Sequence, residues 1–208
     1  MKADRPLRVW PLAARVLVRP GPVLRSLAAH GPLPSWQAVF LRFSLPLVLT
    51  SVILSQWLYG LMPPALPPES VPDPVGFGVY SVLAMTVGVA GLTLSAHYLV
   101  ELFQGPAGPE RAAMAVTLGL VPAWLGNVVA AFPWPWGNGL ALVLILYSLA
   151  LLYVALRELL GLKRGNRIGL WAATLFSGAF ITLVFGWALM DLIPGAAPEL
   201  RLGTTWLI

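Results

Sequence analysis

The sequence predicts an all-α integral membrane protein: a bundle of five transmembrane helices preceded by a short amphipathic N-terminal arm. Three observations carry the prediction. Of 208 residues 58% are hydrophobic and only 10% charged, with a mean hydropathy of +0.81, a composition suited to hydrocarbon as solvent. Five long apolar stretches lie between Phe43 and Met190, each near the roughly 20 residues that cross a bilayer. The thirteen Lys and Arg residues fall almost entirely at every second break between these stretches, the mark of loops retained in the cytoplasm.

Residues 1–37 form the arm, read as cytoplasmic. It begins basic but is interrupted by Pro6, Pro11, Pro20, Pro22, Pro32 and Pro34, so it lacks the continuous apolar run of a cleavable signal peptide. Pro11 and Pro22 each suit the first turn of a short helix, where no N–H is needed. Arg15 and Arg19 then share one face, with Leu12, Val16 and Leu17 to the side. Such a segment can lie on the leaflet with guanidiniums at the phosphates, or remain a solvated basic tail.

The membrane domain covers 38–190. The first span, about 43–62, starts after Arg42, carries Trp57 and Tyr59 as interface anchors, and is expected to kink at Pro46. A Pro-rich loop with Glu69 and Asp73 follows, without Lys or Arg. The second span, about 76–103, is the longest and is expected to tilt or protrude. The third, about 112–132, holds Pro122 near its middle and turns through Trp134 and Trp136 into the fourth, about 139–159. Arg157, Lys163, Arg164 and Arg167 precede the fifth, about 168–190, and residues 191–208 form an external tail. Twelve basic residues fall on one side and one, Arg201, on the other. The implied location is the inner membrane, multi-pass, with the N-terminus cytoplasmic and the C-terminus external.

Helices in lipid approach closely through small residues and a few interhelical hydrogen bonds. Ala84, Gly88, Gly91 and Ser95 mark such a face on the second span, Ala115, Gly119, Gly126 and Ala130 on the third, and Gly178 and Gly186 on the fifth. The fourth span, dominated by Leu with Val143, Ile145 and Val154, reads as more exposed to lipid.

Chemistry is sparsely represented. The absence of Cys excludes disulfides, thiol catalysis and Cys-type metal sites. Two His residues make no familiar metal-binding spacing, no cofactor is implied, and no nucleophile elbow, zinc-helix pair or phosphate loop is present. No nucleic-acid motif accompanies the net charge of +5. His97 and Glu101, four apart on the second span, form the one candidate polar functional pair. They read either as a proton-linked or partner-binding spot or as an ordinary polar helix end. Asn127 is placed to bond backbone freed by Pro122. Arg15, Arg19, Lys163, Arg164 and Arg167 are the candidate contacts to anionic headgroups.

The order of several short motifs is familiar: Arg19-Pro20-Gly21-Pro22-Val23-Leu24 in the arm, His97-Tyr98-Leu99 and Phe103-Gln104-Gly105 closing the second span, and Val121-Pro122-Ala123-Trp124-Leu125-Gly126-Asn127 in the third. Phe132-Pro133 closes the third, and Leu146-Tyr147-Ser148 and Leu152-Tyr153-Val154-Ala155-Leu156 lie in the fourth. In this the chain resembles the Yip domain family, bacterial relatives of the Ypt/Rab-interacting membrane proteins, from about Arg19 to Met190. The long acidic-aromatic cytosolic domain of eukaryotic members is missing, so contact with a small GTPase does not carry over. The resemblance implies a five-span, non-enzymatic membrane adaptor or organiser working through helix and lipid contacts, with other membrane proteins as partners. It makes Pro122 and Gly126 structural positions, alongside Gly88, Gly91, Gly119, Asn127, Tyr147 and Tyr153. A small permease or channel subunit, betrayed by a water-filled path, and a membrane-embedded enzyme, betrayed by a pocket at His97 and Glu101, are the competing expectations.

Overall fold

The computed structural model describes residues 9–29, 33–62, 73–105, 108–133 and 135–196. The expected loop with Glu69, the Trp134 anchor, His30, and the tail with Arg201 and Trp206 lie outside them. Among the described residues there are helices and no strands, and five helical segments are long and apolar enough to cross a membrane: Trp36–Leu61, Pro74–Leu102, Pro109–Val129, Trp136–Leu159 and Arg164–Leu192.

The arm forms two helices, α1 (Val9–Val18) and α2 (Pro20–Ala29). Pro20 has no N–H to offer the preceding turn, so the path kinks at Arg19. Hydrogen bonds resume on both sides, Arg19 N–H to the Arg15 carbonyl at 2.8 Å and Val23 N–H to that of Arg19 at 3.4 Å. Pro11 and Pro22 occupy the first turns as expected.

The first span opens with α3 (Trp36–Val39), capped by the Ser35 hydroxyl, which accepts from Ala38 N–H at 3.3 Å. A π-helical turn, Phe40–Ser44, leads into α4 (Leu45–Leu61). The wide turn is the answer to Pro46: a proline ring presses on the carbonyl four residues back, and here Leu45 N–H bonds Phe40, five residues back. The disturbance expected at Pro46 is thus a local widening just before it.

Asp73 starts α5 (Pro74–Leu102) by accepting from Gly76 N–H at 2.7 Å, with Pro74 in the first turn. The helix ends in a Schellman arrangement, Gly105 N–H to the Val100 carbonyl and Gln104 N–H to that of Glu101, each at 3.0 Å. Gln104, at φ 57°, holds the left-handed position usually given to glycine. A methyl at Gly105 would meet Val100 Cγ2 at 2.5 Å, so the one residue without a Cβ is used for closeness instead.

The third span is two pieces, α6 (Pro109–Gly119) and α7 (Val121–Val129), broken at Leu120 because Pro122 cannot donate. Then follow α8 (Trp136–Leu159), a 3-10 turn at Arg164–Asn166 and α9 (Arg167–Leu192). Residues 112–119 are buried without interruption, which makes α6 the axis of the bundle. α8 packs along α6 and α7, α4 against α7, and α5 against α4 and α6, while α9 lies along the outside of α5. α2 runs along α8 and α1 touches α7.

The fourth span is not the lipid-exposed one. Eight residues of α8 are buried, among them Ser148, Leu151, Leu152, Ala155 and Leu156, against four of α9. Large Leu side chains on α8 fill the hollows left by small residues on α6. A Leu-rich stretch therefore marks the knob side of a contact as readily as a lipid face. Its remaining side, with Leu142, Val143, Ile145 and Leu146, is exposed.

Candidate functional site

At the bundle end carrying Arg42, Arg111 and Arg164, here the basic end, carbonyls at and just beyond helix ends are closed by side chains. Arg111 Nη1 donates to the Leu159 carbonyl at 3.5 Å, Arg167 Nε to Leu162 at 3.0 Å, and Asn166 Nδ2 to Phe103 at 2.7 Å. Arg167 is thereby partly committed to the protein, whereas Lys163 and Arg164 are exposed. Arg157 pairs with its neighbour Glu158, Nε to Oε1 at 3.0 Å.

A row of polar contacts crosses the interior. Ser44 and Thr117 share a hydroxyl hydrogen bond of 2.6 Å, both buried. Ser148 Oγ donates to the Gly119 carbonyl at 2.8 Å, satisfying backbone at the α6–α7 break. Farther from the basic end Asn127 Nδ2 donates to Ser51 Oγ and Ser55 Oγ, each at 3.2 Å, and to the Ser51 carbonyl at 3.4 Å. The expected role of Asn127 is thus corrected: it joins the first span. The carbonyl at the break lies more than two turns back along the third span, beyond its reach, and Ser148 serves it instead.

Gly119 sits where α6 crosses α8, a Cβ there meeting Leu152 Cα at 2.8 Å. Gly126 faces Ala141 on the same helix. Gly88 and Gly91 face Thr182 and Ile181 on α9. Pro122 is buried. Tyr153 stacks edge-on with Trp171 at 6.2 Å, and Trp171 Nε1 donates to the Leu149 carbonyl at 3.1 Å, fastening α9 to α8.

His97 and Glu101 share a face of α5, but no hydrogen bond or ion pair joins them among the described residues. Glu101 is exposed, and the enclosed His97 Nδ1 has no partner, like Thr93 Oγ1 one turn earlier. The imidazole touches Tyr98, ring centroids 5.0 Å apart. No group of three metal-ligating side chains occurs among the described residues.

The arm is built into this core. Leu12, Ala13, Val16, Leu24 and Leu27 are buried in one apolar cluster with Val39, Phe43, Met114 and Leu156. Arg15, Arg19 and Arg25 are exposed. A polar contact pins the kink, Tyr147 OH donating to the Leu17 carbonyl at 2.7 Å. That carbonyl is left open because the Arg19-Pro20 break interrupts the helix, so the Pro-containing motif and the tyrosine form one device. Residues 9–29 are helical with an apolar side, but that side packs against protein rather than acyl chains, which corrects the expectation of a segment resting on the leaflet and equally that of a solvated tail.

The serines at 51 and 55, the Ser44–Thr117 pair and the hydroxyl of Ser148 were not among the expected site residues. Their signal is polar side chains inside apolar spans, Ser51 and Ser55 standing four apart on one face, which in lipid must find partners. Asn127→Leu is expected to cost about 1–2 kcal/mol, since the serine hydroxyls can fall back on their own helix, as Ser55 does on the Val52 carbonyl at 2.9 Å. Thermal melts in detergent check this, and a double-mutant cycle with Ser51→Ala and Ser55→Ala should show non-additivity.

A protein-family model described as the Yip1 domain matches residues 14–190, most of the chain. No curated protein and no solved structure matches.

Proposed function

The chain belongs to the Yip1 domain family, and from that membership we propose that this multi-pass membrane protein is a non-enzymatic adaptor or organiser, acting through helix–helix and lipid contacts. Its arm and its basic end face the cytoplasm, in an inner membrane, and its C-terminus lies outside. Arg15, Arg19, Lys163 and Arg164 meet anionic headgroups there, with Arg167 contributing through the part of its guanidinium that Leu162 does not hold.

One observation carries the reading: the interior is occupied by Leu24, Met114, Leu118, Leu151, Leu152 and Leu156, and its Ser44, Thr117, Ser51, Asn127 and Ser148 groups bond one another or backbone, the buried Thr174 hydroxyl being left without a partner among the described residues. A permease needs a wet, polar-lined path; two grooves on the bundle surface, one between α4 and α5 and one between α5 and α9, are open and mostly apolar. An adaptor needs only a firm bundle with a chemically distinct outside. The Glu101 carboxylate and the unpartnered His97 belong to a polar helix end in this account.

Crosslinking with mass spectrometry in native membranes is the direct test, recurrent partner proteins or lipids being expected; crosslinks confined to the chain itself would count against an adaptor. Sidedness is measured on the naturally Cys-free chain with introduced thiols and an impermeant maleimide. Thr204→Cys and Ser70→Cys should label from outside, and Gly165→Cys, in open space, only after permeabilisation. For the turn between the third and fourth spans Gly139 is the site to use, since a Cβ there meets nothing, whereas at Gly137 it would collide with the Phe132 carbonyl. Labelling of position 165 from outside would reverse the orientation.

A further inference from the structure

The arm lies deeper than a helix resting on a leaflet. Tyr147, whose hydroxyl holds the Leu17 carbonyl, is eleven residues from Trp136 and twelve from Leu159, the middle of α8. Trp136 is 83% exposed at the far end of that helix, where a tryptophan anchors in the interface. Eleven residues of helix place Tyr147 about 16 Å below that anchor, and a hydrocarbon core of about 30 Å then leaves it roughly 14 Å short of the basic-side boundary. A second contact agrees: α1 touches α7, the half of the third span farther from the basic end than Gly119.

Arg15 and Arg19 lie two residues either side of Leu17 and are exposed. Arg15 Nε donates to the Pro11 carbonyl at 3.2 Å, and its terminal nitrogens have no partner among the described residues. An extended arginine reaches roughly 7 Å from its Cα, about half the distance to the edge of the hydrocarbon, with the ordinary phosphate plane several Å farther still. Guanidiniums do not stay bare in hydrocarbon; phosphates and water come to them.

We propose that the flank of α8 covered by the arm is a phospholipid-phosphate site at which Arg15 and Arg19 draw anionic headgroups below the ordinary interface, so that the cytoplasmic leaflet is locally thinned. Arg25, six residues after Arg19 on α2 and also exposed, continues the charged track toward α3, where the chain enters the first span at the basic end. The phosphate is a lipid's, because the groups that meet it open to the membrane side of the bundle. The inference rests on the headgroup contacts proposed above and adds their depth and consequence.

The full chain in vesicles of equal phosphatidylglycerol and phosphatidylcholine provides the test. A nitroxide on Val18→Cys, exposed beside Arg19, is compared with one on Phe176→Cys, exposed on α9 away from the arm and within about a turn and a half of the height of Leu149, which Trp171, five residues earlier, bonds. The Val18 label should be relaxed by a water-soluble nickel chelate at least threefold more than the Phe176 label, and Arg15→Gln with Arg19→Gln should erase the difference. Arg15→Lys with Arg19→Lys, which keeps the charge, should preserve it and guards against a merely misfolded variant. Native mass spectrometry should show phosphatidylglycerol retained by the parent chain and lost from the double Gln variant, unaffected by 20 mM inorganic phosphate. A Val18 label as shielded as that at Phe176 overturns the thinning while headgroup contact stands. Equal lipid retention by parent and double Gln variant overturns both, and displacement by inorganic phosphate shows an anion site that is not a lipid site.

Discussion

Gly119→Leu is expected to abolish assembly of the bundle. The first atom of any side chain at 119 would sit 2.8 Å from Leu152 Cα and 3.0 Å from Leu152 Cβ, so the obstacle is the backbone of α8 rather than the end of a flexible chain. Overpacking typically costs about 1–3 kcal/mol where neighbours can repack, and here the whole of α8 must retreat. Retreat also breaks the bond from Ser148 to the Gly119 carbonyl, 2.8 Å long, worth about 1 kcal/mol in a membrane interior. Gly88→Leu is expected to be milder, because its Cβ meets Thr182 Oγ1 at 3.3 Å, a side chain able to rotate, on the peripheral α5–α9 contact. Gly60→Leu, in open space, is the control. Size-exclusion chromatography of fluorescently tagged protein in mild detergent should give a monodisperse peak for Gly60→Leu, a diminished one for Gly88→Leu, and aggregate or no protein for Gly119→Leu. A normal peak from the last would refute the proposed crossing of α6 and α8.

The sequence announces the spans because crossing hydrocarbon imposes a length and a composition, and it announces Gly88, Gly91, Gly119 and Gly126 because close helices need small residues. It is nearly silent on which helix touches which. In water a helix separates an apolar core face from a polar outer one; in lipid both faces are apolar, and Leu152 at the heart of the molecule looks like Leu142 on its rim. Hence the misjudged exposure of the fourth span. The same blindness hides the arm: Leu12, Val16 and Leu24 suit a membrane surface and a protein groove equally, and it takes their burial against Met114 and Leu156, with the Tyr147 bond to Leu17 formed across 130 residues, to distinguish them. Pro46 and Pro122 announce disturbances but not their form. One becomes a π turn, the other a break answered by Ser148 from a different helix. The candidate pair His97 and Glu101 was legible as a spacing, and a spacing on one helix does not make a bond.

Leu24→Asp should release the arm while leaving the five spans assembled. Leu24 is fully buried, and loss of its burial alone removes about 1.5–3 kcal/mol of docking free energy. An unpaired carboxylate in an apolar cluster adds a further penalty of several kcal/mol if it stays, so undocking is the cheaper outcome. The spans do not have to follow, since α4, α6, α7 and α8 bury their own faces against one another. Once undocked, Leu17 loses the Tyr147 hydroxyl and Arg15 and Arg25 become available to trypsin, the bond after Arg19 being blocked by Pro20. Because cleavage of a transiently open segment follows the open population when closing is fast, a loss of about 3 kcal/mol predicts cutting more than roughly 100-fold faster than in the parent chain. Ala14→Asp, the same charge on an exposed position of α1, should cut at the parent rate. If the parent chain is clipped as quickly as Leu24→Asp, the arm is not part of the core in the membrane. Its arginines would then lie at the ordinary headgroup level, and the depth argued from Tyr147 would have no anchor.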